Sequence, residues 1–211
     1  MHAVAAGIAG ADVAPPHARS RVGARPDEPA RLGEALAAAC SGDETGFVEL
    51  YQDLQPRLLR YATALVGNDA EDVTGETWLQ IARDLHRFTG DLDGFRAWAS
   101  TICRNRALDA ARARSRRPAL PTDIELLAER PGPDDAAGGA LEAMSTRSAV
   151  ALIARLPQDQ AEAVLLRAVV GLDAATAAEV LGKRPGAVRV AAHRGLRRLA
   201  RILDAAAVNG G

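Results

Sequence analysis

The side chains with the clearest chemistry lie near the end of the chain, in a run of arginines that contains no acidic residue. Each arginine carries a planar fork of N–H donors, which matches the oxygens of a phosphate and the acceptor edge of guanine. The pattern therefore favours DNA binding. The basic residues of this run are Lys183, Arg184, Arg189, Arg194, Arg197, Arg198 and Arg201.

A second arginine cluster lies in the middle of the chain, where Asp109 is the one acid within the run. A single basic run is as often the solvated face of a helix as a binding surface. Two runs, each at the end of a predicted helical unit, favour nucleic acid, although the net charge of the whole chain is only −1. The members of this cluster are Arg104, Arg106, Arg112, Arg114, Arg116 and Arg117.

Residues suited to catalysis or metal binding are scattered. Cys40 and Cys103 are too few and too far apart for a zinc site or a disulfide framework. The four histidines show no metal-ligand spacing, and no phosphate-binding glycine loop or nucleophile–base pattern is present. The sequence therefore predicts a protein that is not an enzyme, with no cofactor and no small-molecule substrate. We expect it in the cytoplasm, because the chain shows neither an apolar run of membrane length nor a secretion signal.

The elements that must position the arginines are predicted to be helices. Aromatic residues make up only 3% of the chain, which favours helices packed through small and aliphatic side chains. Asp173 is placed to cap one helix, Gly182 to end it and Pro185 to start the next, which predicts a helix-turn-helix. The second of these helices is expected to pack through Val188, Ala192, Leu199 and Leu203.

Composition divides the chain into two helical domains, so the predicted fold is all-α with a flexible linker between a first domain and a C-terminal helix-turn-helix domain. The first domain is predicted over residues 32–117 and the second over 148–206. Prolines, glycines and acids predict the linker over residues 118–147. Residues 1–31 are predicted to form a disordered tail, and residues 207–211 a second tail.

The order of these segments resembles the extracytoplasmic-function (group IV) sigma factors of the sigma-70 family, over roughly residues 40–117 and 148–203. The segment DAEDVTGETWLQIARDLHRF is similar to the part of the family that docks on the clamp helices of RNA polymerase. The next, FRAWASTICRNRALDAARARSRR, resembles its promoter-melting segment. The last, LPQDQAEAVLLRAVVGLDAATAAEVLGKRPGAVRVAAHRGLRRL, resembles its reader of the −35 element. Each segment alone is a modest signal, whereas three in the family's order are a specific one.

The resemblance implies a sigma factor that binds core RNA polymerase at its clamp helices and flap. Such a protein reads the −35 and −10 promoter elements, helps to open the −10 DNA, and so contacts both double- and single-stranded DNA. The resemblance also implies an anti-sigma factor as a partner. The alternative is a stand-alone helix-turn-helix transcriptional regulator, which leaves the first domain without a role.

The resemblance assigns individual residues to three surfaces. The polymerase surface comprises Asp72, Glu76, Thr77 and Gln80. The −10 surface comprises Phe88, Trp98, Asn105, Arg104, Arg106 and Arg112, with the loop 88–94 as the wall of a base pocket. The −35 surface comprises Arg184, Arg189, Val190, His193, Arg194 and Arg197.

Three positions carry a second interpretation or depart from the family. Trp98 can be a core anchor on the face of Phe95 or a base contact. Gly75 stands where the family commonly has glutamine, and a glycine inside a helix costs about 1 kcal/mol relative to alanine. Val190 and Ala191 stand where the family often has a Ser-Arg pair, which implies more reliance on phosphate contacts and DNA shape.

Overall fold

The structure, a computed structural model, describes residues 28–116 and 147–209 of the 211-residue chain. All regular elements in these two ranges are helical, which confirms the all-α prediction. None of the described helices is long and apolar enough to cross a membrane. Residues 1–27, residues 118–146 of the predicted linker, and Arg117 of the arginine cluster lie outside the described residues. So do residues 210–211 of the predicted C-terminal tail, whereas its residues 207–209 belong to the last helix. The helices are α1 (Glu28–Cys40), α2 (Glu44–Val66), α3 (Ala70–Asp84), α4 (Leu92–Arg116), α5 (147–154), α6 (Gln158–Val164), α7 (Ala174–Leu181) and α8 (Pro185–Asn209).

The first unit begins with a hairpin of α1 and α2. Asp43 caps α2, because its carboxylate accepts a hydrogen bond from the backbone N–H of Gly46 at 2.9 Å. Gly46 also allows the two helices to approach closely, since an added Cβ would lie 2.5 Å from the carbonyl oxygen of Ala35. The hairpin therefore depends on one capping carboxylate and one residue without a side chain.

Helix α1 begins at Glu28, four residues before the predicted domain start at residue 32. The prediction of a disordered tail is thus wrong for residues 28–31. Pro29 is compatible with this extra turn, because the first turn of a helix does not use the N–H that proline lacks. The turn also extends a helix that buries Leu32 and Leu36 against the first unit.

Helix α2 is the centre of the first unit and packs against α1, α3 and α4. Its side chains Leu54, Leu58 and Tyr61 are at most 1% exposed. Ile81 of α3 and Phe95 of α4 join the same core. Full burial of each large apolar side chain stabilises the fold by roughly 1.5–3 kcal/mol. This core fixes α3 and α4, which carry the predicted polymerase and −10 surfaces.

The second unit contains the predicted helix-turn-helix. Asp173 accepts a hydrogen bond from the backbone N–H of Thr176 at 2.7 Å and so caps α7. Gly182 ends α7 in the left-handed conformation with φ of 62°, and the N–H of Lys183 bonds the carbonyl of Ala178 at 2.9 Å. The prediction of a helix-turn-helix is confirmed, with both ends of α7 formed by the residues that predicted them.

Helix α8 crosses α6 at a point of very close contact. A Cβ added to Gly195 would lie 2.7 Å from Cγ2 of Val164. After Val164, α6 continues into a π-helical turn, Leu165–Val170, and Gly171 then leaves the helix with φ of 92°. The close crossing holds α8 firmly on the unit and leaves its opposite side free.

The two units also pack directly on each other, which the sequence did not predict. Helix α4 contacts α7, and α2 contacts the π-helical turn. Two arginines cross the boundary: Arg104 bonds Glu162 at 3.2 Å, and Arg57 donates to the backbone carbonyl of Val170 at 3.3 Å. Glu162 itself is only 2% exposed. The predicted units are therefore arranged in one closed assembly.

Candidate nucleic-acid and polymerase surfaces

Helix α8 has one buried stripe and one basic face. Val188, Ala192 and Gly195 are buried against the rest of the second unit. The predicted −35 residues lie on the other side, and all six are exposed: Arg184, Arg189, Val190, His193, Arg194 and Arg197. The structure therefore places five of the six on one accessible helix, and Arg184 immediately before its first residue.

The basic face of α8 borders an open groove of about 540 Å³. Its walls are Gln160 of α6 and seven residues of α8: Arg189, Val190, His193, Arg194, Arg197, Arg198 and Arg201. Across the parts of the chain that the structure describes, none of these arginines forms an ion pair. Guanidinium groups without protein partners are available for phosphates and base edges.

Two details of α8 differ from the sequence interpretation. Leu203, predicted on the packing face, is 54% exposed because α8 continues past the body of the second unit, and Leu199 is only partly buried. Ala191 is 9% exposed and faces the core rather than the DNA side. Val190, at 50% exposure, is an apolar residue on the basic face. A valine there offers van der Waals contact, for example to a thymine methyl group, but no hydrogen bond.

An aromatic cluster lies at the start of α4. The rings of Phe88 and Trp98 stack with centroids 5.4 Å apart, and Phe95 meets Phe88 edge-on at 5.9 Å. Phe95 is buried at 1% exposure, whereas Phe88 and Trp98 are half-buried. Trp98 is therefore a core anchor on the side of Phe95 and keeps part of its ring accessible.

The loop before α4 wraps around this cluster. Gly90 has φ of 156°, and an added Cβ would lie 3.0 Å from Cζ of Phe88. Asp91 accepts a hydrogen bond from the N–H of Gly94 at 2.8 Å and so closes the first turn of α4. Asn105 is exposed two turns beyond Trp98, on the same side of the helix. The ring of Trp98, which stacks on Phe88, and the amide of Asn105 thus lie on the same side of α4.

The three arginines assigned to the −10 surface already have acidic or amide partners. The contacts are Arg104 to Glu162 at 3.2 Å, Arg106 to Gln80 at 3.0 Å and to Glu76 at 3.7 Å, and Arg112 to Asp109 at 3.1 Å. A further arginine of α4, Arg114, bonds Asp69 and the carbonyl of Val66. The sequence showed only one acid, Asp109, among the arginines of this cluster. In the fold, further acids reach them from α3, from the turn before α3 and from α6.

The polymerase surface predicted on α3 is only partly accessible. Asp72 and Glu76 are exposed, and Gln80 is partly buried beneath Arg106. Thr77 is fully buried, and its hydroxyl donates to the carbonyl of Val73 at 2.7 Å. The assignment of Thr77 to a contact surface is therefore wrong for this conformation. Its place one turn from Val73 on the apolar face of α3 was the sequence feature that indicated burial.

Sequence reasoning missed Leu79, the most exposed of the large apolar side chains described, at 67%. It lies three residues after Glu76 and seven after Asp72, so the three share one face of α3. A single exposed leucine is ordinary on a protein surface, but its place beside Asp72 and Glu76 adds an apolar side chain to the face predicted to bind polymerase. Helical spacing from Asp72 could have found it.

A groove of about 510 Å³ separates α3 from α4, and both predicted surfaces of the first unit border it. Four acids and two arginines line it: Asp69, Asp72, Glu76, Arg106, Asp109 and Arg114. No group of three or more His, Cys, Asp or Glu residues within the described ranges is arranged to hold a metal ion. The groove is thus a zone of ion pairs that ties α3 to α4.

The chain matches two family models, Sigma-70 region 2 over residues 50–117 and Sigma-70 region 4 over residues 146–199. The first match covers the unit that a stand-alone regulator leaves without a role, so that alternative is not favoured. Each match covers one helical unit of the fold, the first from residue 50 within α2 onwards.

Named relatives agree with these family matches, and a solved structure has a similar fold. The chain is 35% identical over 179 residues to the ECF RNA polymerase sigma factor BldN of Streptomyces coelicolor, spanning 82% of this chain and 66% of BldN. It is 36% identical over 179 residues to the ECF RNA polymerase sigma factor SigD of Mycobacterium tuberculosis, spanning 80% and 82%. The structure of CnrH in complex with the cytosolic domain of CnrY aligns with a TM-score of 0.57 at 24% identity, over 83% of this chain and 98% of CnrH. That likeness supports the fold.

Proposed function

We propose a division of labour among the surfaces of this chain from one premise, that it belongs to the extracytoplasmic-function sigma factors of the sigma-70 family. The protein directs promoter-specific transcription by bringing core RNA polymerase to −35 and −10 elements and helping to open the −10 DNA. It acts by binding alone, in the cytoplasm with the polymerase, and catalyses no reaction.

The −35 element is bound by the basic face of α8. The observation that carries this proposal is that its arginines are exposed and, across the described residues, have no acidic partner. Arg189 and Arg194 lie in the N-terminal half of α8, the part of the recognition helix that enters the major groove in helix-turn-helix proteins. Arg184, Arg197 and His193 extend the contact along the backbone. With Val190 in place of a donor, phosphate contacts supply most of the affinity, so binding falls steeply with salt.

The −10 element is opened at the surface around Asn105. A base that leaves the duplex stack needs an aromatic or apolar face to stack on and polar groups for its edge. The half-buried rings of Phe88 and Trp98 provide the first, and the exposed amide of Asn105 provides the second. Arg112, 66% exposed, exchanges Asp109 for the phosphates of the separated strand.

Core RNA polymerase is bound by the exposed face of α3, at Asp72, Glu76 and Leu79, while the second unit contacts the flap. Charged residues at the edge of such a contact guide association, and a central apolar side chain stabilises it. Leu79 has this arrangement, with acids one and two turns away. We also propose a regulatory anti-sigma partner for this chain; CnrH, of similar fold, was solved in complex with the cytosolic domain of CnrY.

Binding of the full chain to core RNA polymerase tests the first step. We expect Asp72→Lys to weaken binding at least tenfold, since it reverses an exposed charge that forms no ion pair within the described residues. Glu34→Lys, an exposed acid on α1, is the matched control and should bind like the wild type. Equal binding by both variants would overturn the assignment of α3. No binding by folded wild-type protein would overturn the proposed function.

Promoter opening by the reconstituted holoenzyme tests the second step, with permanganate reactivity of unpaired thymines as the readout. We expect Asn105→Ala to lower opening at least tenfold and to leave closed-complex formation within about twofold of wild type. Asn68→Ala, which removes the same exposed amide outside α4, should open normally. Normal opening by Asn105→Ala would contradict the proposed role of this residue.

A further inference from the structure

Gly75 is a glycine inside a helix that nothing in the described part of the chain requires. It lies in the interior of α3 with helical backbone geometry, whereas the described glycines with positive φ end helices or lie in turns and loops. An added Cβ at Gly75 would meet no heavy atom within 4 Å. Neither backbone conformation nor packing against the described residues therefore calls for glycine, which is among the poorest helix formers.

Two other helical glycines show what such a position does in this fold. Gly46 lies where α1 crosses α2, and an added Cβ would lie 2.5 Å from the carbonyl oxygen of Ala35. Gly195 lies where α6 crosses α8, and its added Cβ would lie 2.7 Å from Cγ2 of Val164. In both places the missing side chain lets another helix approach closely. Gly75 provides the same opening, but towards solvent.

The residues one turn away from Gly75 give this opening its chemistry. Leu79, four residues later, is 67% exposed, and Trp78, three residues later, is fixed by a hydrogen bond from its Nε1 to Oε1 of Gln55 at 2.6 Å. Asp72, three residues earlier, is exposed and forms no ion pair within the described ranges. We call the space over Gly75, bounded by Asp72, Trp78 and Leu79, the notch. It combines an apolar wall with one unpaired carboxylate.

We propose that the notch receives one long basic side chain of core RNA polymerase. The apolar stem of that side chain packs on Leu79 over the backbone of Gly75, and its charged end pairs with Asp72. Lysine and arginine bury their stems in this way while the charged end keeps a polar partner. The inference rests on the proposed binding of polymerase by α3. Gly75 is then a specificity-determining residue, because it exchanges the polar contact of the family's common glutamine for a close approach.

Two glycine variants of the full chain separate the notch from a general effect of helix stability. Gly75→Ala fills the notch, and Gly33→Ala makes the same change inside α1, where an added Cβ also meets no heavy atom within 4 Å. Both should resist urea at least as well as wild type in tryptophan fluorescence, because alanine is the better helix former. Against immobilised core polymerase, Gly75→Ala should bind at least about fivefold more weakly, and Gly33→Ala within about twofold of wild type. Weaker binding by a more stable protein is a result that unfolding cannot produce.

Gly75→Gln tests the opposite explanation, that this chain has only lost the polar contact of the family. A longer side chain fills the notch more completely, so we expect binding to weaken by more than about tenfold. Tighter binding than wild type would show that glutamine restores a contact, and the notch would then be wrong.

A double-mutant cycle tests the chemistry of the occupant. Asp72→Asn removes the charge beside the notch with little change of shape. If one basic side chain contacts both positions, the loss in Gly75→Ala/Asp72→Asn should be at least about threefold smaller than the product of the two single losses. Single losses that simply multiply would contradict the assignment of one side chain to both positions.

The variants also distinguish failure of the notch from failure of the proposed function. Normal binding by Gly75→Ala together with weak binding by Asp72→Lys would overturn the notch and leave α3 as the polymerase surface. Weak binding by both glycine variants would assign the loss to a change outside α3, which also excludes the notch. If folded wild-type protein does not bind core polymerase, the proposed function is wrong and the notch fails with it.

Discussion

Replacement of Gly75 by alanine should stabilise the first unit. Gly75 lies inside α3, is exposed, and an added Cβ meets no heavy atom within 4 Å. Alanine therefore fits without strain and lowers the conformational entropy of the unfolded chain. The expected gain is about 0.5–1 kcal/mol in the free energy of unfolding. For a unit of about 90 residues this corresponds to a rise in Tm of roughly 2–8 °C.

Tryptophan fluorescence during urea unfolding measures this gain in the intact protein. The chain contains two tryptophans, Trp78 and Trp98, and both belong to the first unit. Fluorescence therefore follows unfolding of that unit even if the second unit unfolds separately. With a denaturant dependence of about 1–2 kcal/mol per molar urea, the midpoint should rise by roughly 0.5 M.

Gly46→Ala is the matched control, because it makes the same change in a helix of the same unit. Its Cβ would lie 2.5 Å from the backbone carbonyl oxygen of Ala35, which cannot move without displacing α1. We expect a loss of more than about 1 kcal/mol, with a lower midpoint. A midpoint for Gly75→Ala at or below that of wild type would refute the inference that α3 has free space at this position.

Three other predictions concern the second unit and the surface of α3. Gly195→Ala should destabilise the second unit by about 1–2 kcal/mol, because the added Cβ would lie 2.7 Å from the stiff side chain of Val164. The unfolding transition in far-UV circular dichroism should therefore shift, while the midpoint in tryptophan fluorescence stays unchanged. An unchanged dichroism transition would contradict this prediction. A backbone hydrogen bond from Thr176 lowers the pKa of Asp173 from its usual 3.8. The ionised carboxylate therefore stabilises the second unit fully at pH values above 3.8, the pKa in the unfolded chain. This stabilisation is lost as the pH falls through the lower pKa of the folded protein. Asp173→Ala should therefore lower the stability of the second unit at pH 7, and the variant should lose less stability than the wild type below pH 3.8. An equal loss in wild type and variant would argue against the role of Asp173 as a cap. Thr77→Val should bind core polymerase within about twofold of wild type, since the hydroxyl is buried; a tenfold loss would mean that it does contact the polymerase.

Features encoded by neighbouring residues could be predicted from the sequence. The ends of α7 depend on Asp173, Gly182 and the residues within one turn of them, so capping rules suffice to place them. The exposure of the basic face of α8 also follows from local spacing, because Val188, Ala192 and Gly195 mark the opposite side. In both cases the physical cause lies within one or two turns of helix.

Features that depend on distant parts of the chain could not be predicted. The partner of Arg104 is Glu162, 58 residues away, and that of Arg114 is Asp69, 45 residues away. Nothing in the composition around either arginine indicates these pairs. The start of α1 at Glu28 could not be predicted either, because the residues before Leu32 show weak helical periodicity and no clear helix-start signal. The first turn of α1 is stabilised instead by tertiary packing of Leu32.

The pairing of Arg106 has a consequence for how the two activities of the first unit are separated by mutation. Arg106 lies on α4, next to Asn105, but its guanidinium bonds Gln80 at 3.0 Å and Glu76 at 3.7 Å on α3. Reversing the charge of Glu76 would therefore change the proposed polymerase surface and also release an arginine beside the proposed base-binding surface. Asp72 has no ion pair within the described residues, so its reversal releases no arginine of α4. A larger opening defect for Glu76→Lys than for Asp72→Lys, at matched occupancy of the polymerase, is the expected result if Arg106 couples the docking helix to the melting helix.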